Sequence, residues 1–329
     1  MRIAWILPRR RVGADEIVLL NRSPFYRCFI FRADNRGGVL RPAKVDVHEL
    51  IAWALDEYPY RSSTIGPKPE GFAKQVEQAQ QRLTEREPYE GCPALLAEET
   101  ERIRHLLTAN LQRPDLQEEY EGLDWALGVV DLRRLLAFQR RLVFSSAQHL
   151  SSIPQQDDWS QLISLAFASR RGTRHRIICN GNAANGLDVN LYSSNPDLQL
   201  RLNPKARHSD FSPLSLYGGS PFFEVAELRG RWFLRDGYHR AYRLLQGGVH
   251  RMPAVVIRTR TLEELGATEP WFFSEDQLFS DRPPRVMDFL DESLVLRYER
   301  AALRKVIRIR IEESLQPFDE TDELQGETL

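Results

Sequence analysis

Residues 231–257 read RWFLRDGYHRAYRLLQGGVHRMPAVVI, and this stretch decides the fold of the chain around it. Trp232 and Leu234 alternate with Phe233 and Arg235, which predicts a strand. The helical pattern of YHRAYRLLQ follows and stops at a pair of glycines. The apolar run MPAVVI then predicts a buried strand. The order is therefore strand, turn, helix and strand.

The turn at residues 236–240 combines a glycine with charged side chains. Asp236 is a favoured helix-capping residue, and Gly237 allows a sharp turn and the close approach of a ligand. If the helix starts directly after the glycine, His239 and Arg240 lie in its first turn, where main-chain N–H groups lack helical partners and the dipole is positive. We therefore predict a phosphate site here. Its predicted contacts are Gly237, His239, Arg240 and Arg243.

A catalytic version of this site would use Asp236 and His239, with Asp236 orienting an attacking hydroxyl or water. A purely structural interpretation remains open, in which Asp236 only caps the helix and the first-turn side chains are solvated. His250 and Arg251, in the turn before the last strand, are candidates to extend the basic pocket.

Residues 222–257 resemble the core of the ParB/sulfiredoxin superfamily. The Gly-Tyr-His-Arg turn at 237–240 is similar to the Gly-Cys-His-Arg turn of sulfiredoxins, with Tyr238 in place of the catalytic cysteine. Gly248, Pro253 and the strand after them are similar to ParB-type partition proteins. The Gly-x-x-Arg-x-x-Ala pattern of those proteins is matched only in part, since Ala241 directly follows the arginine.

This resemblance implies a mixed sheet with helices that binds ATP or CTP, with the phosphates held at the 236–240 turn. It implies an NTP hydrolase or a phosphotransferase. Sulfinic acid reduction is not implied, because a tyrosine cannot act as the thiol nucleophile. DNA partitioning is not implied either, because no recognisable helix-turn-helix follows the segment.

Nucleotide chemistry usually requires Mg²⁺ held by one or two carboxylates. The sequence does not identify the ligands. Candidates, each of which also suits a turn or a strand surface, are His208, Asp210, Glu224 and Glu227. No carboxylate cluster for two metals is evident, so a nuclease is the least favoured of the enzyme classes.

The charge is unevenly distributed along the chain. Residues 201–260 contain 11 Lys/Arg and 4 Asp/Glu, a net charge of +7, whereas residues 311–329 contain 7 Asp/Glu and no Lys/Arg, a net charge of −7. Basic segments attract phosphates of any kind. An alternative function is therefore a non-enzymatic module that binds nucleic acid or a protein through the basic 201–260 block.

Composition and cysteine usage indicate a soluble, cytoplasmic protein. The chain has 329 residues, of which 42% are hydrophobic and 28% charged. Its cysteines, Cys28, Cys92 and Cys179, are far apart and odd in number, which argues against a disulfide framework. The first apolar run is too short for a signal peptide, and no run approaches the ~18 residues of a membrane span.

The predicted fold class is α+β, in three parts. Residues 1–150 form an accessory region of short strands followed by helices, which could bind a protein partner. Residues 151–315 form the ParB/sulfiredoxin-like domain, and the acidic tail at 316–329 is expected to be disordered. Within these parts, helices are predicted at 47–58, 72–87, 93–111 and 123–144, and a strand at 161–167.

Overall fold

The computed structural model describes residues 16–19, 28–31, 43–53, 71–144, 152–169, 175–182, 186–195, 198–202, 214–268, 272–312 and 314. The chain divides into two compact units. The first comprises Met1–Leu40, Gly172–Gly219 and Leu303–Leu329. The second comprises Arg41–Arg171 and Ser220–Ala302.

Strands β1 to β15 are, in order, Glu16–Leu19, Cys28–Phe31, Lys44–Leu50, Asp124–Asp131, Leu136–Ala137, Arg141–Phe144, His175–Asn182, Gly186–Ser193, Gln199–Leu202, Leu214–Tyr217, Glu224–Leu228, Arg231–Asp236, Arg251–Thr259, Val295–Ala301 and Lys305–Ile311. Helices α1 to α8 are Phe72–Thr84, Ala97–Arg102, Arg104–Leu111, Pro114–Glu119, Trp159–Ala166, Tyr238–Gln246, Leu262–Leu265 and Glu275–Leu278. Short 3-10 helices lie at Leu132–Arg134 and Val286–Leu290.

The first unit contains two sheets. A five-stranded sheet has the order β15-β8-β7-β1-β2, and all of its neighbours are antiparallel. β9 and β10 form a separate antiparallel pair. The short strands predicted at the start of the chain are confirmed here by β1 and β2.

The second unit is built on a mixed five-stranded sheet with the order β4-β13-β11-β12-β5. β11 and β12 form an antiparallel hairpin, and α6 then connects β12 to β13, which lies parallel to β11. β4 pairs antiparallel with β13, and β5 pairs parallel with β12. A three-stranded antiparallel sheet, β14-β3-β6, belongs to the same unit.

The predicted strand, turn, helix and strand of residues 231–257 are confirmed. Helix α6 buries Ala241, Leu244 and Leu245 in the hydrophobic core, as its apolar stripe predicts. Gly248 ends the helix with a φ of 78°, and the N–H of Val249 donates to the carbonyl of Leu244.

The helix predicted at 123–144 is wrong. This segment forms β4, a 3-10 turn, β5 and β6, and β4 pairs with β13 over eight residues. Residues 127–131 are all buried, and a continuous buried run gives no period that separates strand from helix. Gly128 fits this strand because a Cβ there would lie 2.6 Å from Leu95 Cδ1.

Other local predictions also differ from the structure. β3 replaces the first part of the helix predicted at 47–58, residues 51–53 are not helical, and residues 54–58 lie outside the described residues. The strand predicted at 161–167 is helix α5, whose start is capped by Asp158 accepting from the N–H of Gln161. The helix predicted from Pro93 begins only at Ala97.

The α+β class is confirmed, although the two units do not divide at residue 150. β4, β5 and β6 of the predicted accessory region belong to the unit that contains α6, so residues 1–150 are not a largely helical region apart from it. The acidic tail at 316–329 lies outside the described residues. In the described part of the chain, no helix combines the length and apolar character needed to cross a membrane.

Candidate functional site

Gly237 forms the turn between β12 and α6 in a conformation that favours glycine. Its φ is +99°, in the left-handed region. A Cβ at this position would lie 2.5 Å from Cδ2 of Phe223, so the ring below the turn also excludes a side chain. Asp236 Oδ1 accepts a hydrogen bond from the Gly237 N–H at 2.5 Å. The turn is therefore closely packed from beneath, with the start of α6 directly after it.

Arg240, a predicted phosphate contact, binds main-chain carbonyls of its own protein. Its Nη1 donates to the carbonyls of Leu165 and Pro221, both at 2.8 Å, and its Nη2 donates to the carbonyl of Phe222 at 2.6 Å. Burial lowers the pKa of Arg240, an effect opposed by the nearby charge of Asp236. The guanidinium thus ties the end of α5 and the residues before β11 to α6, and three of its five N–H groups are engaged.

Tyr238, at the position of the sulfiredoxin cysteine, is 3% exposed. Its hydroxyl accepts from the N–H of Phe138 at 3.0 Å and, at 3.4 Å, from the N–H of Gln139. Burial raises the pKa of the phenol. The residue anchors the start of α6 to the chain after β5.

His239 and Arg243 lie on one face of α6, as their spacing predicts. His239 Nε2 is 2.9 Å from the Val143 carbonyl, and its ring meets Phe144 edge-on at 5.2 Å. The Arg243 guanidinium lies 5.7 Å from the Phe144 ring centre, and its Nη1 is 3.4 Å from Gln246 Oε1. Phe144 therefore lies between the two basic residues at the side of the helix.

A buried acid lies beside the turn, and it is one of the candidate metal ligands of the sequence. Glu224, 3% exposed, is opposite Asp236 in the β11–β12 pairing. Its Oε1 accepts from the Tyr120 hydroxyl at 2.7 Å and its Oε2 from Arg235 Nη1 at 2.8 Å. Burial raises the pKa of the Tyr120 phenol, and the negative charge of Glu224 is the second largest cause of the increase. Both carboxylate oxygens are thus held by protein donors.

This network could not be found from sequence because Tyr120 lies about a hundred positions away from Glu224. Its local signal in the sequence is the charged residue Glu224, which lies between the apolar residues Phe223 and Val225. An acid in a strand core predicts a paired carboxylate, but not the identity of its partners.

The other metal candidates are not brought together. His208 and Asp210 lie outside the described residues. Glu227 Oε1 accepts from the N–H of Gly230 at 2.6 Å, which fixes the β11–β12 turn. Among the residues that the structure describes, no three His, Cys, Asp or Glu side chains are grouped for a metal ion.

Most described arginines of the basic 201–260 block are engaged within the protein. Arg231 donates to the carbonyls of Leu278, Phe279 and Ser280. Others of the block pair with carboxylates or carbonyls: Arg229, Arg235, Arg240, Arg251 and Arg258. In the described part of the block, most of the arginines are therefore paired within the protein.

His250 and Arg251 do not extend the pocket at the 236–240 turn. They lie beyond the C-terminal end of α6, whereas the turn lies at its N-terminal end. A helix of nine residues spans about 13 Å at 1.5 Å per residue, so the two ends of α6 are separate places.

No protein-family model matches the chain, and neither a curated protein nor a solved structure matches it. The structure itself joins Asp236, Gly237 and the first turn of α6, with His239 and Arg243 on one flank. It places Glu224 on the neighbouring strand. The function of the chain is therefore inferred from these residues.

Proposed function

We propose that the protein binds a nucleoside triphosphate, ATP or CTP, at the 236–240 turn, with its phosphates against the main-chain N–H groups that open α6. The observation that carries this proposal is the left-handed Gly237, packed on Phe223, between a strand and a nine-residue helix. Such a turn offers N–H donors and the positive end of the helix dipole without a side chain in the way. The ParB/sulfiredoxin-like arrangement belongs to the same proposal and is supported by the β11-β12-α6-β13 order.

The roles of the basic residues differ from one another in this proposal. Arg240 is a positioning residue, because its guanidinium holds three carbonyls around the turn. His239 and Arg243 flank the phosphates and add positive charge from one face of α6. Gly237 supplies space and main-chain donors.

Turnover of the nucleotide is the enzymatic part of the proposal, as hydrolysis or as phosphoryl transfer. Asp236 orients the attacking hydroxyl or water, and His239 assists as the second catalytic group. Mg²⁺ commonly binds through substrate phosphates, several waters and one or two carboxylates. Asp236 is the carboxylate that would hold it, since Glu224 already has protein donors on both oxygens.

The alternative of a nucleic-acid-binding module is less well supported. Counterion-driven binding needs exposed Lys and Arg that are able to meet phosphates. Arg231 and Arg240 instead direct their guanidinium groups at main-chain carbonyls. Arg235 pairs with Glu224, a buried carboxylate.

The test is calorimetric titration of ATP, CTP and GTP, each with Mg²⁺, into the parent and three variants. Arg243→Gln removes a positive charge and His239→Gln removes the imidazole beside the turn, and neither changes the hydrogen bonds of Arg240 to the three carbonyls. Arg258→Gln is the matched control, because this arginine is 72% exposed and belongs to the same basic block. We expect a dissociation constant below about 1 mM for one nucleotide and a several-fold weakening in both test variants only.

Equal binding by all four proteins, or no binding by the parent below about 1 mM, would contradict the proposal. Phosphate release measured with Asp236→Asn then separates binding from turnover. If the parent releases phosphate and the variant binds nucleotide without releasing it, the enzymatic part is supported. If the parent binds and never releases phosphate with any acceptor tried, only the binding part stands.

A further inference from the structure

A cleft of about 570 Å³ lies at the end of α6 away from the 236–240 turn. It is bounded by the start of α2, the 3-10 turn after β4, and the connection from α6 to β13. We name it the Arg251 cleft. Its charged lining consists of Glu98, Glu99, Asp131, Arg133, Arg134 and Arg251.

One buried carboxylate orients two of the arginines in this cleft. Asp131 has only 4% of its side chain exposed, and it accepts from Arg133 Nε at 2.9 Å and from Arg133 Nη2 at 2.7 Å. Arg134 Nε lies 3.5 Å from Asp131 Oδ2. The two guanidinium groups remain about half exposed, at 52% and 45%. The negative charge is therefore buried, while the positive charge reaches solvent.

The third arginine is held in a similar way. Arg251 Nη1 donates to Glu99 Oε1 at 3.0 Å, and its Nη2 donates to Asp157 Oδ2 at 2.9 Å. Glu99 is 14% exposed and Arg251 is 30% exposed. Such pairing fixes the geometry of a guanidinium before any ligand arrives, which lowers the ordering cost of binding.

The main chain of the cleft is fixed by Gln156. Its Oε1 accepts from the N–H groups of His250 at 2.6 Å and of Arg251 at 3.1 Å. These two bonds fix the orientation of the amide and therefore the position of its donor, Nε2. Within the described residues, Gln156 Nε2 and His250 Nδ1 are buried atoms without a hydrogen-bond partner. Buried polar atoms usually have a partner in the protein or in ordered water.

We propose that the Arg251 cleft binds a small organic molecule through one phosphate or carboxylate group. Planar guanidinium groups match the oxygens of both anions, and three of them line this cleft. The volume is in the range of small-molecule sites, and Leu95 and Leu96 provide an apolar wall for the rest of the molecule. This site is independent of the nucleotide site proposed at the 236–240 turn.

Glu98 limits the charge of the ligand. It lines the cleft and is exposed, and the described residues show no ion pair or hydrogen bond for its side chain. Its negative charge opposes a second anionic group on the ligand. Replacing it with glutamine is therefore expected to strengthen the binding of an anion, whereas replacing an arginine is expected to weaken it.

The test uses phenyl phosphate and benzoate as separate probes in calorimetric titrations. Arg134→Gln and Arg251→Gln are expected to weaken binding of the recognised probe by about tenfold, the loss of one charge-assisted contact. Glu98→Gln is expected to strengthen binding by about threefold, from the loss of one like charge in partly exposed surroundings. Arg258→Gln, which changes an exposed arginine that does not line the cleft, is expected to leave it unchanged.

Recognition of phenyl phosphate alone identifies the anion as phosphate, and recognition of benzoate alone identifies it as carboxylate; either supports the proposal. Arg134→Gln keeps the Asp131–Arg133 pair but removes the hydrogen bond of Arg134 Nη1 to the Pro93 carbonyl at 2.9 Å, so thermal unfolding checks that the variant is folded. A damaged fold cannot produce the tighter binding expected of Glu98→Gln. The proposal is overturned if neither probe binds below about 10 mM, or if all variants bind like the parent.

Discussion

Gly237 lies so close to Phe223 that a Cβ on the glycine would be 2.5 Å from Cδ2 of the ring and 2.9 Å from Cε2. The glycine also has a φ of +99°, which side chains rarely adopt. Phe223 is fully buried in the core, where side chains are closely packed. The contact therefore restricts the residue type at the turn to glycine.

Gly237→Ala is expected to lower the free energy of unfolding by about 3–5 kcal/mol, because the strain of a left-handed alanine adds to overpacking against Phe223. Urea denaturation measures the change. Gly230→Ala is the matched control: its φ is +77° but nothing lies within 4 Å of its added Cβ. That variant should lose only about 1 kcal/mol. Equal losses in the two variants would show that the contact with Phe223 has no energetic importance.

Arg240→Met is expected to destabilise the protein by about 3 kcal/mol or more. Methionine keeps much of the apolar stem but leaves the carbonyls of Leu165, Pro221 and Phe222 without their donor. Chemical denaturation with circular dichroism measures the loss. Arg243→Met, one turn along α6, removes a contact with Gln246 and a contact with the Phe144 ring and should cost less than about 1 kcal/mol. If Arg240→Met loses less stability than Arg243→Met, the hydrogen bonds of Arg240 to the three carbonyls do not stabilise the fold.

The stretch around α6 could be predicted from sequence because its signals are local. The Arg-Gly pair between two apolar runs predicts the β11–β12 hairpin, and the double glycine predicts the end of α6. Likewise, the left-handed glycine is expected after a strand that leads directly into a helix. These features depend on neighbours within a few positions.

The function of each side chain at the turn was less predictable, because it depends on residues that are far away in the sequence. Arg240 is near the helix start as predicted, but its partners are carbonyls contributed by α5 and by the residues before β11. Carbonyl positions follow from the tertiary fold and leave no pattern in the sequence. The same holds for β4, whose pairing with β13 joins Asp124 to Arg258 across more than a hundred residues.

Ionisation of Tyr238 is expected to reduce stability at alkaline pH. Burial raises the pKa of this phenol above its ordinary value of 10. Between pH 10 and the raised pKa of the folded state, the folded protein therefore retains a proton that the unfolded chain has lost. The stability that this group contributes is complete below pH 10 and declines as the pH rises, by up to about 1.4 kcal/mol per pH unit.

Tyr238→Phe tests this dependence. At pH 8 the variant should be about 1–3 kcal/mol less stable than the parent, because the N–H of Phe138 loses its acceptor. Above pH 10 the difference should narrow, since phenylalanine does not ionise. Urea midpoints at several pH values, with phenolate absorbance recorded in parallel, measure both effects. A difference that stays constant above pH 10 would mean that Tyr238 titrates normally.

His48 is expected to make the protein sensitive to acid. Its ring packs 4.7 Å from the centre of Phe144 and 5.4 Å from that of Tyr242. Burial, followed by the positive charge of Arg297, lowers its pKa below the ordinary 6.5, while Asp46 opposes the change. The unfolded state therefore takes up a proton at a higher pH than the folded state does. The contribution of His48 is complete above pH 6.5 and is lost as the pH falls through the folded-state pKa.

His48→Gln removes this titration, so the variant should lose less stability than the parent between about pH 7.5 and pH 5, a range that brackets the ordinary histidine pKa. Guanidinium unfolding midpoints across that range provide the measurement, and high salt limits contributions from surface charges. His105→Gln is the matched control, because His105 is exposed on α3. If the two variants follow the same pH dependence as the parent, His48 is not responsible for the loss of stability in acid.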